Sequence, residues 1–183
     1  ATDDTIYAIT RPGEIFAIVE NPFSVTSIFS DPLDQISSAW DLALNTDGTL
    51  YVGDREGFGP GEVLEVSGGV ATALINASEA RGLTPDPFSC GMYVTEWNST
   101  GFDGSIALFD LDTVTKTDVP GFDGINYSNS EWGDGDTVLD AAGNLYTCSK
   151  DDWRVTRYDP VKQRYATIGS MYTNNPSGVV IAE

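Results

Sequence analysis

Two stretches of this chain bring several oxygen ligands close together: Gly133-Asp134-Gly135-Asp136 and the pair Asp151-Asp152. Carboxylates separated by glycine can turn toward one hard divalent cation, and calcium suits such a set best. The helix–loop–helix calcium pattern is absent, since no alternating acidic run ends in a glutamate at the twelfth position. Acidic, glycine-rich loops also occur without any metal, so the sequence leaves two readings open: no cofactor, or bound Ca²⁺. The inner strands offer a second candidate at the mouth of the central channel, near Asp41, Asp136 and Gly178.

A different chemistry is carried by the rings of Phe58, Trp97, Phe102, Trp132 and Trp153, which fall in otherwise polar stretches beside Asp54, Glu56, Glu96 and Asp103. An aromatic ring offers a large contact area at low entropic cost, so these rings suit recognition of a carbohydrate or a protein. The alternative is that they fold down over strand ends and cap the core. Nucleophilic catalysis through a Ser-His-Asp or Cys-His set is ruled out, as is any histidine-ligated metal, because the chain has no histidine. No catalytic residue is assigned.

The wider composition narrows the partners. The net charge is −19 over 183 residues, and Lys116, Lys150 and Lys162 are the only lysines. Phosphate contacts need clustered lysine and arginine, so nucleic acid is excluded as a partner. An anionic membrane surface is equally poor, and the apolar runs are strand-sized, which argues against membrane insertion. No basic segment followed by an apolar one opens the chain, and a start at Ala1 fits a processed N-terminus, so an extracellular, secreted location is expected. Asn76, Asn98 and Asn126 each begin an Asn-x-Ser/Thr sequon and are the glycosylation candidates. Cys90 and Cys148 align about 16 Å out of register along their strands, so two buried thiols are expected rather than a disulfide.

The elements that position these residues come from a repeat. Thr5-Ile6-Tyr7-Ala8-Ile9, Thr49-Leu50-Tyr51-Val52-Gly53, Gly91-Met92-Tyr93-Val94-Thr95 and Asn144-Leu145-Tyr146-Thr147-Cys148 share an aliphatic residue followed by tyrosine. The tyrosines lie 44, 42 and 53 residues apart. Periods of this length in an all-β sequence indicate propeller blades of four antiparallel strands. Turns such as Asn45-Thr46-Asp47-Gly48 and Asp140-Ala141-Ala142-Gly143 precede the tyrosine strand, and Trp40–Leu44 or Thr137–Leu139 precede the turn. Third strands are expected at Glu14–Ile18, Glu62–Val66, Ser105–Leu111 and Arg154–Tyr158. Fourth strands follow at Ser24–Phe29, Val70–Ile75, Val114–Val119 and Arg164–Gly169. The first repeat lacks an inner strand, and Gly178-Val179-Val180-Ile181 at the other end reads as one. The expected fold is therefore an all-β, four-bladed propeller in a single domain, its first blade (1–35) completed by 176–183, with the others at 36–77, 78–121 and 122–175. Complementary ends could instead join two molecules, giving a homo-oligomer, or the four blades could be part of a larger propeller.

Trp40-Asp41-Leu42-Ala43-Leu44 with Asp47-Gly48-Thr49-Leu50-Tyr51-Val52, and Gly143-Asn144-Leu145-Tyr146, resemble blades of the NHL and SMP-30/gluconolactonase type. That resemblance implies the propeller fold. SMP-30-like enzymes are six-bladed and hold a divalent metal with Glu, Asn and Asp in the channel, a triad that cannot be placed here residue by residue. The long connections are expected on one face of the propeller, at 54–61, 76–81, 96–104, 121–135 and 149–153. Binding usually resides in such loops. The expected function is non-enzymatic binding of a protein or carbohydrate through that face. A self-assembling structural subunit and a metal-dependent lactonase are the alternatives.

Overall fold

The computed structural model describes residues 5–30, 35–55, 61–98, 103–120, 137–149 and 154–170. Fifteen strands and no helix occur among them. Every pairing is antiparallel, and the strands fall into four sheets. The first sheet holds β1 (Thr5–Ile9), β2 (Ile15–Glu20) and β3 (Phe23–Phe29). The second holds β4 (Ala39–Leu44), β5 (Leu50–Asp54), β6 (Gly61–Ser67) and β7 (Val70–Ala77). The third holds β8 (Ala80–Asp86), β9 (Gly91–Asn98), β10 (Asp103–Asp110) and β11 (Thr115–Asp118). The fourth holds β12 (Thr137–Leu139), β13 (Leu145–Ser149), β14 (Arg154–Asp159) and β15 (Arg164–Ser170). Each sheet is a meander in chain order, and the inner strands β4, β8 and β12 lie side by side. These are four blades of a β-propeller. The inner strand expected from 178–181 for the first blade lies outside the described residues.

Apolar side chains occupy both faces of the blades, because a middle blade is covered on both sides. Tyr7 packs with Leu50, Val52 and Leu64 between the first two blades. Tyr51 packs with Met92, Val94 and Ala107 between the second and third. Tyr93 packs with Leu145 and Tyr158 between the third and fourth, and burial pushes its phenol up to about 12. The recurring tyrosine of the sequence is thus the residue that each of the first three blades aims at the next one. Polar links run between inner strands as well. Asp41 accepts N–H bonds from Leu42 and, across the blade boundary, from Leu83 at 2.8 and 2.7 Å. The Thr84 hydroxyl donates to the Thr137 carbonyl at 2.7 Å. Asp41, a candidate channel ligand in the sequence, is thereby committed to joining blades. Gly53 is needed at its position because a Cβ there would sit 2.8 Å from the Ala80 carbonyl oxygen.

Three expectations need correction. The stretch 76–81 is no long loop: Asn76 and Ala77 end β7, Ala80 and Arg81 begin β8, and two residues join them. Ala77 and Ala80 are both buried, so the apolar pattern continues through the boundary. Val114 is not a strand residue. It takes φ of 53° in the turn before β11, where the Asp110 carboxylate accepts the N–H groups of Asp112 and Thr113. Finally, the cysteines form no disulfide, as expected, but only Cys148 is buried. Cys90 is exposed in the turn before β9, where a hydrogen bond to Asp112 and that residue's charge raise its thiol pKa.

Candidate functional site

The loop ends of the second and third blades are built by one repeated device. In β4 the register slips between Ala39 and Asp41, and in β8 between Ala80 and Gly82. Trp40 and Arg81 are the extra residues. A bulge leaves one residue out of the ladder and re-aims its side chain. Both bulges occur at the same point of the repeat, one residue into the inner strand.

A carboxylate anchors each bulge from the end of the neighbouring strand. Asp54, last in β5, accepts from the backbone N–H of Ser37 at 3.1 Å and of Ser38 at 2.6 Å, and from the Ser37 hydroxyl at 3.2 Å. Glu96 stands at the matching position in β9. It accepts the Ser78 N–H at 3.2 Å and a close ion pair from Lys116 Nζ. Ser37 and Ser78 each lie three residues before their bulge. These N–H groups have no ladder partner, and a carboxylate satisfies them with charge-assisted bonds. Asp54 and Glu96 are only 4% and 3% exposed. Both belong to this clasp.

Between the two bulges lies a buried cationic stack. The Arg81 guanidinium sits 4.9 Å from the Trp40 ring centre and 5.1 Å from that of Trp97. Its charge is met by Glu79, which accepts from Nη2 at 2.8 Å and from Nε at 3.3 Å. Arg55 approaches the same Glu79 oxygen at 3.4 Å, and Arg11 lies 5.7 Å from the Trp40 ring centre. The Glu79 carbonyl accepts the Trp97 N–H. Arg81, Glu79 and Trp97 are all buried. Arg81 Nη1 and Trp40 Nε1 are buried too and have no hydrogen-bond partner among the described residues. Three of the six arginines of a strongly acidic chain therefore gather at one end of the propeller, beside two indoles.

Trp97, expected in a loop, is part of β9, and its ring packs inward on Arg81. Asn76 is exposed on β7, and Asn98 ends β9. Phe58, Phe102, Trp132, Trp153, Asp134, Asp136, Asp151, Asp152 and Asn126 lie outside the described residues. Among the described residues, no three His, Cys, Asp or Glu side chains converge as a metal site would require. Sequence reasoning missed Trp40 and Arg81 as members of a cluster. The signal was there in the alignment of Ser37-Ser38-Ala39-Trp40 with Ser78-Glu79-Ala80-Arg81. A cleft of about 210 Å³ opens between the third and fourth blades and is walled mainly by Tyr93, Leu108, Val119, Pro120, Tyr158 and Pro160.

No known sequence family and no curated protein matches the chain. Solved structures do. An auxiliary nutrient binding protein of Bacteroides thetaiotaomicron superposes with a TM-score of 0.70 at 15% identity, over 96% of this chain and 42% of its own. The calcium-binding protein regucalcin of Agrobacterium tumefaciens gives 0.61 at 18% identity, over 87% and 54%. A chain of a nidogen/laminin complex gives 0.57 at 17% identity, over 97% and 80%. At these identities the likeness defines the class by fold alone: the protein is a β-propeller. It spans about two fifths of the nutrient binding protein and about half of the regucalcin chain.

Proposed function

We propose that this propeller is an extracellular binding protein that takes a protein or carbohydrate ligand on the face bearing the Trp40–Arg81–Trp97 stack. The stack is the observation that carries this reading. It fixes the loop ends of two blades with a buried ion pair and two stacked rings, and rigid support is what a recognition surface built from loops requires. It also places Arg11 and Arg55 beside that surface, a cationic spot on an acidic molecule. Similar propellers support the same class of role: an auxiliary nutrient binding protein, the extracellular domain of a one component system, and a partner in a nidogen/laminin complex. In this reading Phe58, Phe102, Trp132 and Trp153 supply the ligand contacts, while Trp97 belongs to the supporting stack. Asp134, Asp136, Asp151 and Asp152 would bind Ca²⁺, and Asn76, Asn98 and Asn126 would carry glycans. NHL-like ancestry of the blades belongs to the same proposal.

The test is binding of the purified chain to arrays of glycans and of extracellular proteins, repeated with Trp132→Ala and Trp153→Ala. The expected result is one ligand class retained by the parent and weakened at least tenfold in a variant whose melting temperature is unchanged. Absence of any ligand, or binding indifferent to both variants, would overturn the assignment.

A further inference from the structure

Each blade has a forward face, marked by the tyrosine, and a back face, marked by the residue just before it. The back face is covered in three blades. Leu50, Met92 and Leu145 hold this position in the second, third and fourth blades and are 7%, 0% and 0% exposed. Ile6 holds it in the first blade and is 53% exposed. On the outer strand the contrast holds against the second blade, where Ala71 is 2% exposed and Val25, at the same point of the register, 53%; Tyr165, at that point of the fourth blade, is 60% exposed. Ile6, Ile18 and Val25 form one row across β1, β2 and β3. Phe23 extends the same face and is 75% exposed. The first blade thus presents an apolar sheet face whose residue before the tyrosine is exposed, where a neighbouring blade buries that residue in each of the other three blades.

The matching forward face belongs to the fourth blade, where Tyr146, Arg157 and Ala166 form a row across β13, β14 and β15. We infer that the back face of the first blade is an interaction surface for the fourth blade of a second copy of this chain, joined head to tail. The contact would continue the inter-blade interface already made three times within the molecule, between surfaces of the same repeat. The chain's own fourth blade leaves Ile6, Phe23 and Val25 exposed. Charge also fits, since Arg157 lies on the forward face and Glu20 shares the back face with Ile18 and Val25. The inference is independent of the ligand reading, because it uses sheet faces and not loop ends.

Sedimentation velocity over a concentration series tests it, on the parent chain and on Val25→Asp, Phe23→Lys and Ala166→Asp. All three sites are exposed on outer strands, so the variants should keep the parent's melting temperature. The expected result is a concentration-dependent dimer or larger ring for the parent. Either back-face variant and the forward-face variant should weaken it at least tenfold. A parent that stays monomeric throughout the series overturns the inference. So does dissociation by the back-face variants with none by Ala166→Asp, which would mean back-to-back pairing.

Discussion

Arg81 shows how much of a buried charge's behaviour is set by what surrounds it. Glu79 and Arg81 are both out of water; the desolvation of each is offset mainly by the other, and that of Arg81 also by the two indole faces. Arg81→Ala would leave the Glu79 carboxylate buried, with Arg55 as its remaining cation. The expected loss is about 3–5 kcal/mol in urea denaturation, the usual result of stranding one member of a buried pair. Arg81→Lys should recover little of it, because an ammonium cannot lie flat between two rings. Trp97 was legible as an aromatic residue of interest but not as a stacked one. Whether a tryptophan near a strand end points outward or inward depends on what the adjacent blade offers, and Arg81 is 16 residues away in sequence.

At the scale of elements, the tyrosine repeat made most strands readable, since alternation and turn residues agree within each blade. The strand β8 escaped notice. It contains Pro85 and Gly82, which weaken a strand pattern, and Arg81, which looks solvent-exposed. The bulges were hidden for a related reason: one extra residue shows only when the pairing register is known. Turns were more transparent, and they carry a pH dependence. Gly48 and Gly143 take φ of 89° and 78°, as tight turns require. Asp47, Asp110, Asp140 and Asp159 lie in turns or at the strand ends that lead into them, and all have lowered pKa values. For Asp140, desolvation acts to raise the value. Hydrogen bonds from the Asn144 amide and backbone, the Tyr146 hydroxyl and the Ala142 N–H outweigh it. A carboxyl depressed in the folded state adds stability above its unfolded pKa, about 3.9, and that stability is lost as pH falls through the folded value. The urea midpoint of the parent should therefore drop below about pH 4, and Asp140→Asn should flatten that drop while lowering the midpoint at neutral pH.

For the whole molecule, charge and shape act against each other. Two copies that each carry a charge of −19 repel at long range, while the face formed by Ile6, Phe23 and Val25 attracts at contact. Added salt shortens the repulsion without weakening the apolar contact. Self-association should therefore strengthen as sodium chloride rises from about 0.01 to about 0.15 M, where the Debye length falls from roughly 30 to roughly 8 Å. Weakening with salt would point instead to an interface held by ion pairs, and sedimentation at the two ionic strengths decides between them. None of this balance was readable from composition, which gives the charge but not which blade face stays open.

The carboxylate clasps at Asp54 and Glu96 have a consequence for heredity. Each satisfies backbone groups at the seam between blades from the last positions of its strand. Mutations that accumulate beyond Arg55 and Trp97 fall above a seam already sealed. A lineage can then change what it recognises without renegotiating how it folds.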